Sequence, residues 1–428
     1  MDRIKLHIQK LGKIRDAEIE ISPLTIFCGN SGLGKSYLAM LVHYFYAILW
    51  DKSFRFANFF KTSNRDYSKM VASFRGEGEA FRFSKASLEQ WLAEDSIAYL
   101  RYLLKNELLD GKISVSLPNS VPAEFIFHYK EELTGLVNKD DVYLLLQTNH
   151  LTYRVGNKSE NNITDEQRSP FAFLLGAELV YSLFGDIKNF TRAFCLPPSR
   201  GPVMTEDVRG RSGLYSEFIE QKRVLEKASE QQEIVSKELL SLMSNVLDGD
   251  VRQEENGDYS YITHDAQIPL SAAAASIREI APLALIAKRN DIKTISILFE
   301  EPEAHLHPLK QRMIADIVSA FVSGGASMQI TTHSDYFLRR INELILLKKL
   351  RDKDERKFSE VCKQEKINPL TALDCLKISA YYLSEKENRD VVVEKQNLED
   401  GIPFTAFQEA IKKSFKCQDM LEELLLDE

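Results

Sequence analysis

Apolar and polar positions alternate at Ile4, Leu6 and Ile8, and again at Ala17, Ile19 and Ile21 beyond the turn-like Leu11-Gly12-Lys13. That period of two predicts a pair of short strands. Leu24 to Cys28 is apolar without interruption, the mark of a strand buried on both faces. Lys35 to Trp50 then reads as one continuous helix. Further on, a helix is predicted from Ser87 to Asn106, and a hairpin from Val142–Leu146 to Leu151–Val155 across Thr148-Asn149. A polar hairpin spans Val251 to Ile262 with its turn at Asn256-Gly257. An Ala-rich helix follows from Ser271 to Lys288, then a strand (Thr294–Phe299), a helix (Pro308–Val322), a strand (Met328–Thr331) and a helix (Tyr336–Leu350). The tail returns to strands at Ile378–Leu383 and Val391–Glu394 before a helix at Pro403–Phe415. Alternation of this kind predicts an α/β core.

Between these blocks, Leu214, Phe218, Gln221, Leu225, Ala228, Gln232, Val235, Leu239, Leu242 and Val246 repeat at spacings of four and three. Two structures satisfy that seam. One is a coiled-coil-like helix of roughly 50 Å. The other is an amphipathic helix packed on its own domain, and the two glutamines within the seam weaken the long coiled-coil alternative.

Composition narrows the classes. The 428 residues carry 55 Lys+Arg against 63 Asp+Glu, a net charge of −8, which excludes a uniformly basic nucleic-acid binder. No apolar run approaches the roughly 18 residues of a membrane span, and the strand-like N-terminus has no secretion signal. The five cysteines lack CxxC spacing, so neither a disulfide framework nor a zinc site is expected, and a cytoplasmic location is.

The chemistry concentrates in three segments. Gly29-Asn30-Ser31-Gly32-Leu33-Gly34-Lys35-Ser36 satisfies GxxxxGK[ST] between an apolar strand and a helix. Its glycines let backbone N–H groups converge on phosphate oxygens, Lys35 supplies positive charge, and the Ser36 hydroxyl can ligate Mg²⁺. The strand Thr294–Phe299 ends in Glu300-Glu301-Pro302-Glu303, with carboxylates where a Walker B strand carries them. Glu300 would hold the hydrated Mg²⁺ and Glu301 would polarise the attacking water. The strand Met328–Thr331 ends in Thr332-His333-Ser334, where His333 could reach a γ-phosphate.

GNSGLGKS, ILFEEPEAHLHP and ITTHSDYFL together resemble the ABC-type ATPase heads related to the overcoming-lysogenization-defect (OLD) proteins, the SMC heads and the AAA-15/AAA-21 group. The resemblance covers roughly residues 1–45 and 265–345. It implies a P-loop NTPase fold that binds ATP and Mg²⁺. Gly29 to Ser36 would hold the nucleotide, Ser36 and Glu300 the metal, Glu301 would be the catalytic carboxylate and His333 the switch histidine. Ser276 falls at the signature position that would meet the nucleotide of a second subunit. Arg200, in Leu196-Pro197-Pro198-Ser199-Arg200, resembles a recurrent Pro-x-x-Arg segment with a phosphate or interface contact. Two departures stand out. Glu300 replaces the usual Asp, and Ser271-Ala272-Ala273-Ala274-Ala275-Ser276 replaces the usual Ser-Ser-Gly, which points to slow turnover.

The implied organisation is an ATPase lobe in two parts (1–50 and 249–345), an inserted mixed region (51–213), the heptad segment (214–248) and an α/β tail (346–428). The implied role is that of a stand-alone ATPase in a bacterial antiphage module resembling the Septu or PARIS systems. There a homo-oligomer holds and regulates a separate effector, commonly a nuclease, and no nuclease constellation is read in this chain. Two alternatives stay open. One is a DNA-clamping repair ATPase using Arg339, Arg340, Lys348, Lys349 and Arg351. The other is a nucleotide-gated scaffold with little turnover. His305 and His307 are read as loop residues rather than metal ligands.

Overall fold

The computed structural model describes residues 3–62, 74–133, 142–155, 169–187, 192–205, 213–227, 237–404 and 406–426. Its centre is a nine-stranded sheet. The strands are β1 (Lys5–Leu11), β2 (Ile14–Glu20), β3 (Leu24–Gly29), β5 (Gly111–Ser116), β9 (Arg192–Leu196), β13 (Ile295–Glu300), β14 (Ser327–Thr332), β15 (Ile378–Glu385) and β16 (Val391–Lys395). Their order is β5-β1-β2-β16-β15-β3-β14-β13-β9. From β15 to β9 every neighbouring pair is parallel, whereas β5-β1-β2 forms an antiparallel wing.

Parallel strands must be covered on both faces, and the side chains divide accordingly. Leu24, Ile26 and Cys28 of β3 point into one core, with Ile297 and Phe299 of β13 and Met328 and Ile330 of β14. The helices Ala275–Arg289, Pro308–Ser323 and Asp335–Lys353 are among those that close that core. Phe27 and Leu298 point the other way, into the core formed with the helix Lys35–Ala47. The strand-helix pattern read from the sequence is therefore the layer pattern of the fold.

A second, four-stranded antiparallel sheet lies within residues 77–155, in the order β4 (Glu77–Ser84), β6 (Glu124–Leu133), β7 (Val142–Gln147), β8 (Thr152–Val155). Phe81, Phe83, Phe125 and Phe127 pack there with Phe60 and Phe171. The hairpin read at Val142–Val155 is its β7–β8 arm. The hairpin read at Val251–Ile262 is β10 (Asp250–Gln253) with β11 (Tyr259–Ile262), joined by β12 (Gln267–Pro269).

Within the expected inserted region 51–213, β5 and β9 are strands of the main sheet. Likewise the tail supplies β15, hydrogen-bonded directly to β3. The helix expected from Ser271 begins at Ala275, after a 3₁₀ turn at Leu270–Ala272, because Ala273 and Ala274 adopt extended backbone. The last helix starts at Ala406 and runs to Leu426.

Of the heptad segment, Leu214–Lys227 and Lys237–Leu247 are helical, while Ala228, Gln232 and Val235 lie outside the described residues. Phe218, Leu225, Leu239 and Val246 are buried in the chain's own core, so both described parts are amphipathic helices packed on their own domain. Gln221 has a distinct task. Its amide takes the Cys195 N–H at 2.7 Å and donates to the Ala193 carbonyl at 3.0 Å. It thus caps β9, one of the two outer strands of the sheet, much as another strand would.

Candidate active site

Three strand ends meet at one edge of the sheet because β14 lies between β3 and β13. Its register pairs Thr332 with Cys28 on one side and Thr331 with Glu300 on the other. This brings the glycine-rich loop, the carboxylates and His333 together. It is also the edge at which open α/β sheets hold ligands.

The loop leaves β3 at Gly29, whose φ of 122° lies in the left-handed region. A Cβ there would sit 2.3 Å from the Leu383 carbonyl oxygen of neighbouring β15. Both facts demand glycine. A Gly29→Ala chain should lose about 2 kcal/mol or more of stability, read as a lower midpoint in urea unfolding. Asn30, Ser31 and Gly32 are exposed, whereas the Leu33 side chain is buried and anchors the loop.

Lys35 is buried and donates from Nζ to the carbonyls of Gly29 (3.1 Å) and Asn30 (2.8 Å). Burial brings its pKa down to about 8 against the pull of Glu301, Glu303 and Glu300. Nδ1 of His333 lies 3.3 Å from the same Nζ. An ammonium can only donate, so Nδ1 accepts and the ring proton sits on Nε2, 3.8 Å from Glu301 Oε1. Burial and the Lys35 charge hold the His333 pKa below its ordinary value, so the ring is neutral at pH 7.

Glu300 is buried, and its Oε2 accepts a hydrogen bond from Ser36 Oγ. Burial raises its pKa to about 7, opposed by the Ser36 bond and reinforced by Glu301. Its Oε1 has no hydrogen-bond partner among the described residues. A hydroxyl oxygen touching a carboxylate with one orphaned oxygen is a donor set that suits a hard cation such as Mg²⁺. When bound, the metal would supply charge neutralisation for phosphate oxygens.

Glu301 has φ of 44°, uncommon for a residue with a side chain, and is fixed by its N–H to Thr331 O at 3.0 Å. Glu303, which the sequence reading left without a role, is half-buried. It accepts from Thr332 Oγ1 (2.8 Å) and the His333 N–H (2.6 Å), so it sets the position of His333. His307 Nδ1 accepts from the Leu309 N–H at 3.4 Å and caps the helix Pro308–Ser323.

Arg200 is fully buried and does not reach a phosphate site or an outer face, contrary to the expected contact. Its Nε donates to the Glu279 carbonyl (2.8 Å) and its Nη1 to the carbonyls of Pro197 and Glu300 (both 3.0 Å). It thus ties the end of β13 to the helix Ala275–Arg289. Ser276 lies in the first turn of that helix and does not line the cavity at the loop. That cavity, of about 400 Å³, is bounded by Gly12 and Ile14 of the β1–β2 turn, the loop, Tyr37, Glu301, Thr331 and His333. Of the basic residues considered for DNA, Arg340 binds Asp316 and Glu343, Lys348 binds Asp352, Arg351 binds Glu355 and Arg339 covers Phe404.

Residues 215–338 match the AAA_15 family model, described as an AAA ATPase domain. The match covers less than a third of the chain and shows a likeness of that stretch to an ATPase domain. The matched stretch holds Glu300, Glu301 and His333 but not the glycine-rich loop, which joins the ATPase domain through the β3–β14 pairing. No curated protein matches the chain in sequence. Among solved structures, the SMC head bound to the C-winged helix domain of ScpA is 10% identical over 93% of this chain and 98% of that one, with a TM-score of 0.38. The SMC head domain from Thermotoga maritima is 10% identical over 93% and 100%, at 0.33. The Smc head with an extended coiled coil, derived from Pyrococcus furiosus and bound to the C-terminal domain of ScpA, is 11% identical over 99% and 100%, at 0.38. At such scores, the assignment of the ATPase fold rests on the strand order and loop geometry described above. No helix among the described residues is long and apolar enough to cross a membrane.

Only a protonated Lys35 can pair with phosphate. Affinity of the glycine-rich loop for a nucleotide is therefore expected to be level below pH 8 and to weaken about tenfold per pH unit above it, with proton uptake on binding. Calorimetric titration in buffers of different ionisation enthalpy reads both, and a flat affinity up to pH 10 would contradict the assignment.

Proposed function

We propose that the ATPase binds Mg·ATP in the loop cavity and hydrolyses it slowly. In this reading Gly29 to Ser36 cradle the phosphates, Ser36 and Glu300 hold the metal, Glu301 orients the attacking water and His333 contacts the γ-phosphate. One observation carries it: the Ser36–Glu300 contact, with the orphaned Glu300 oxygen, lies beside Lys35, Glu301 and His333. Lys35→Ala tests it. Removing the ammonium should weaken ATP binding about a hundredfold or more and abolish turnover. Unchanged affinity would refute the site.

ATP-dependent association of two copies follows if Ser276 completes the partner's site, and its place at a helix start away from its own loop cavity supports that geometry. The further role, holding and releasing a separate effector such as a nuclease in a bacterial defence module, rests on the resemblance of the three motifs. Co-expression with the genomic neighbour tests it. A stable complex whose composition changes with ATP supports the role, and a lone protein whose turnover is stimulated by DNA refutes it. The ion pairs around Arg340, Lys348 and Arg351 speak against a DNA clamp on that helix.

A further inference from the structure

The helix Ala406–Leu426 is 21 residues long, about 32 Å at 1.5 Å per residue. Every side chain from Lys412 to Glu422 is exposed, and four large apolar ones, Phe415, Met420, Leu421 and Leu424, are 51–61% exposed. Cys417, Leu421 and Leu424 share one face through spacings of four and three, with Phe415 and Met420 on its flanks. A helix with such a face gains little by standing in water.

Its charges are segregated. The first half carries Lys412, Lys413 and Lys416 against the single acid Glu409, and the sequence of the second half carries Asp419, Glu422 and Glu423. Acidic residues near a helix C-terminus work against its own dipole, so this distribution does not serve the isolated helix. Two parallel copies would set like charges side by side. Two antiparallel copies set each basic half along an acidic half, and the crossover of sign falls between Lys416 and Asp419, at Cys417.

We propose that this helix is a nucleotide-independent docking surface for a second copy of the chain, paired antiparallel and centred on Cys417. The contact is separate from the ATP-dependent association above and does not rest on it. Sedimentation velocity of the full chain without nucleotide should show a concentration-dependent monomer–dimer equilibrium. Leu421→Asp with Leu424→Asp should abolish the dimer.

Mild oxidation should cross-link Cys417 to Cys417, since Cys28, Cys195 and Cys362 are buried and Cys375 is half-buried, and Cys417→Ser, but not Cys375→Ser, should remove the cross-link. Lys412→Glu, Lys413→Glu and Lys416→Glu together should weaken the dimer, and adding Asp419→Lys, Glu422→Lys and Glu423→Lys should restore it. A monomer at all concentrations would overturn the proposal, as would a dimer that survives the double leucine variant. A dimer that never cross-links through Cys417 would overturn the antiparallel register. A helix that instead serves a different protein leaves the chain monomeric and the charge exchange without effect, which also refutes it.

Discussion

Glu301→Gln is expected to lower ATP turnover by about 10²–10³-fold while leaving ATP bound. The substitution keeps the size of the side chain and removes only its ability to take a proton or hold a water by charge. The backbone should tolerate it. Residue 301 stays at its φ of 44° because its N–H is held by Thr331 O and its carbonyl takes the Ala304 N–H, contacts that glutamine retains. The half-exposed Glu301 carboxylate stands within reach of Nε2 of a neutral His333, so the pair can share a water without a fixed charge on the ring. Single-turnover kinetics separates the readings. A hydrolase should retain ATP and shift to a larger native mass, as a clamp locked closed. A nucleotide sensor with negligible turnover should be indifferent to the change, and that outcome would remove Glu301 from the mechanism.

Arg200→Met should cost about 3–5 kcal/mol, a large share of the roughly 5–15 kcal/mol that holds a domain folded. Glu279, also buried, accepts from the backbone N–H groups of Arg200 and Gly201 at 3.0 Å each and lies 3.7 Å from the guanidinium. Without Arg200 that carboxylate is left buried without its cation. The carbonyls of Pro197 and Glu300 also lose their donors. Burial draws the Arg200 pKa down to about 10, which still leaves it charged at neutral pH. Lysine should not rescue, since one ammonium cannot serve three carbonyls in a plane or stack 4.5 Å over the Phe299 ring. Urea unfolding should show a much lower midpoint for Arg200→Met. The double variant with Glu279→Gln should lose clearly less than the sum of the two, because they form one network. Additive losses would contradict the latch.

What the sequence made legible was local. Period-two alternation at Ile4–Ile8, the unbroken apolar run of Leu24–Cys28 and the three-and-four spacing of later segments each follow from neighbours a few residues apart. The strands and helices they indicate are present. The glycine-rich loop was equally legible, because its backbone demands leave a fixed residue pattern. The loop-side residues missed from sequence had no such pattern. Glu303 reads as one more carboxylate in Glu300-Glu301-Pro302-Glu303 until Thr332 and the His333 N–H meet it. Gln221 reads as a weak seam position until it is seen capping β9.

Arg192–Leu196 illustrates the limit. Five residues are too few for a period to stand out, and the strand exists because β13 offers it a ladder about a hundred residues away. The start of the helix at Ala275 was missed for a related reason, since alanines favour helix wherever nothing else decides. Sequence alone determined which chemistry the chain carries: a phosphate loop, strand-end carboxylates and a histidine. Only the tertiary structure decided their meeting, by placing β14 between β3 and β13, and it turned Arg200 inward as a latch. The physical reason is the same in both cases. Local pattern fixes dihedral preference and the face that must be buried, but the choice of partner is made by burial and hydrogen bonding between residues far apart in the chain.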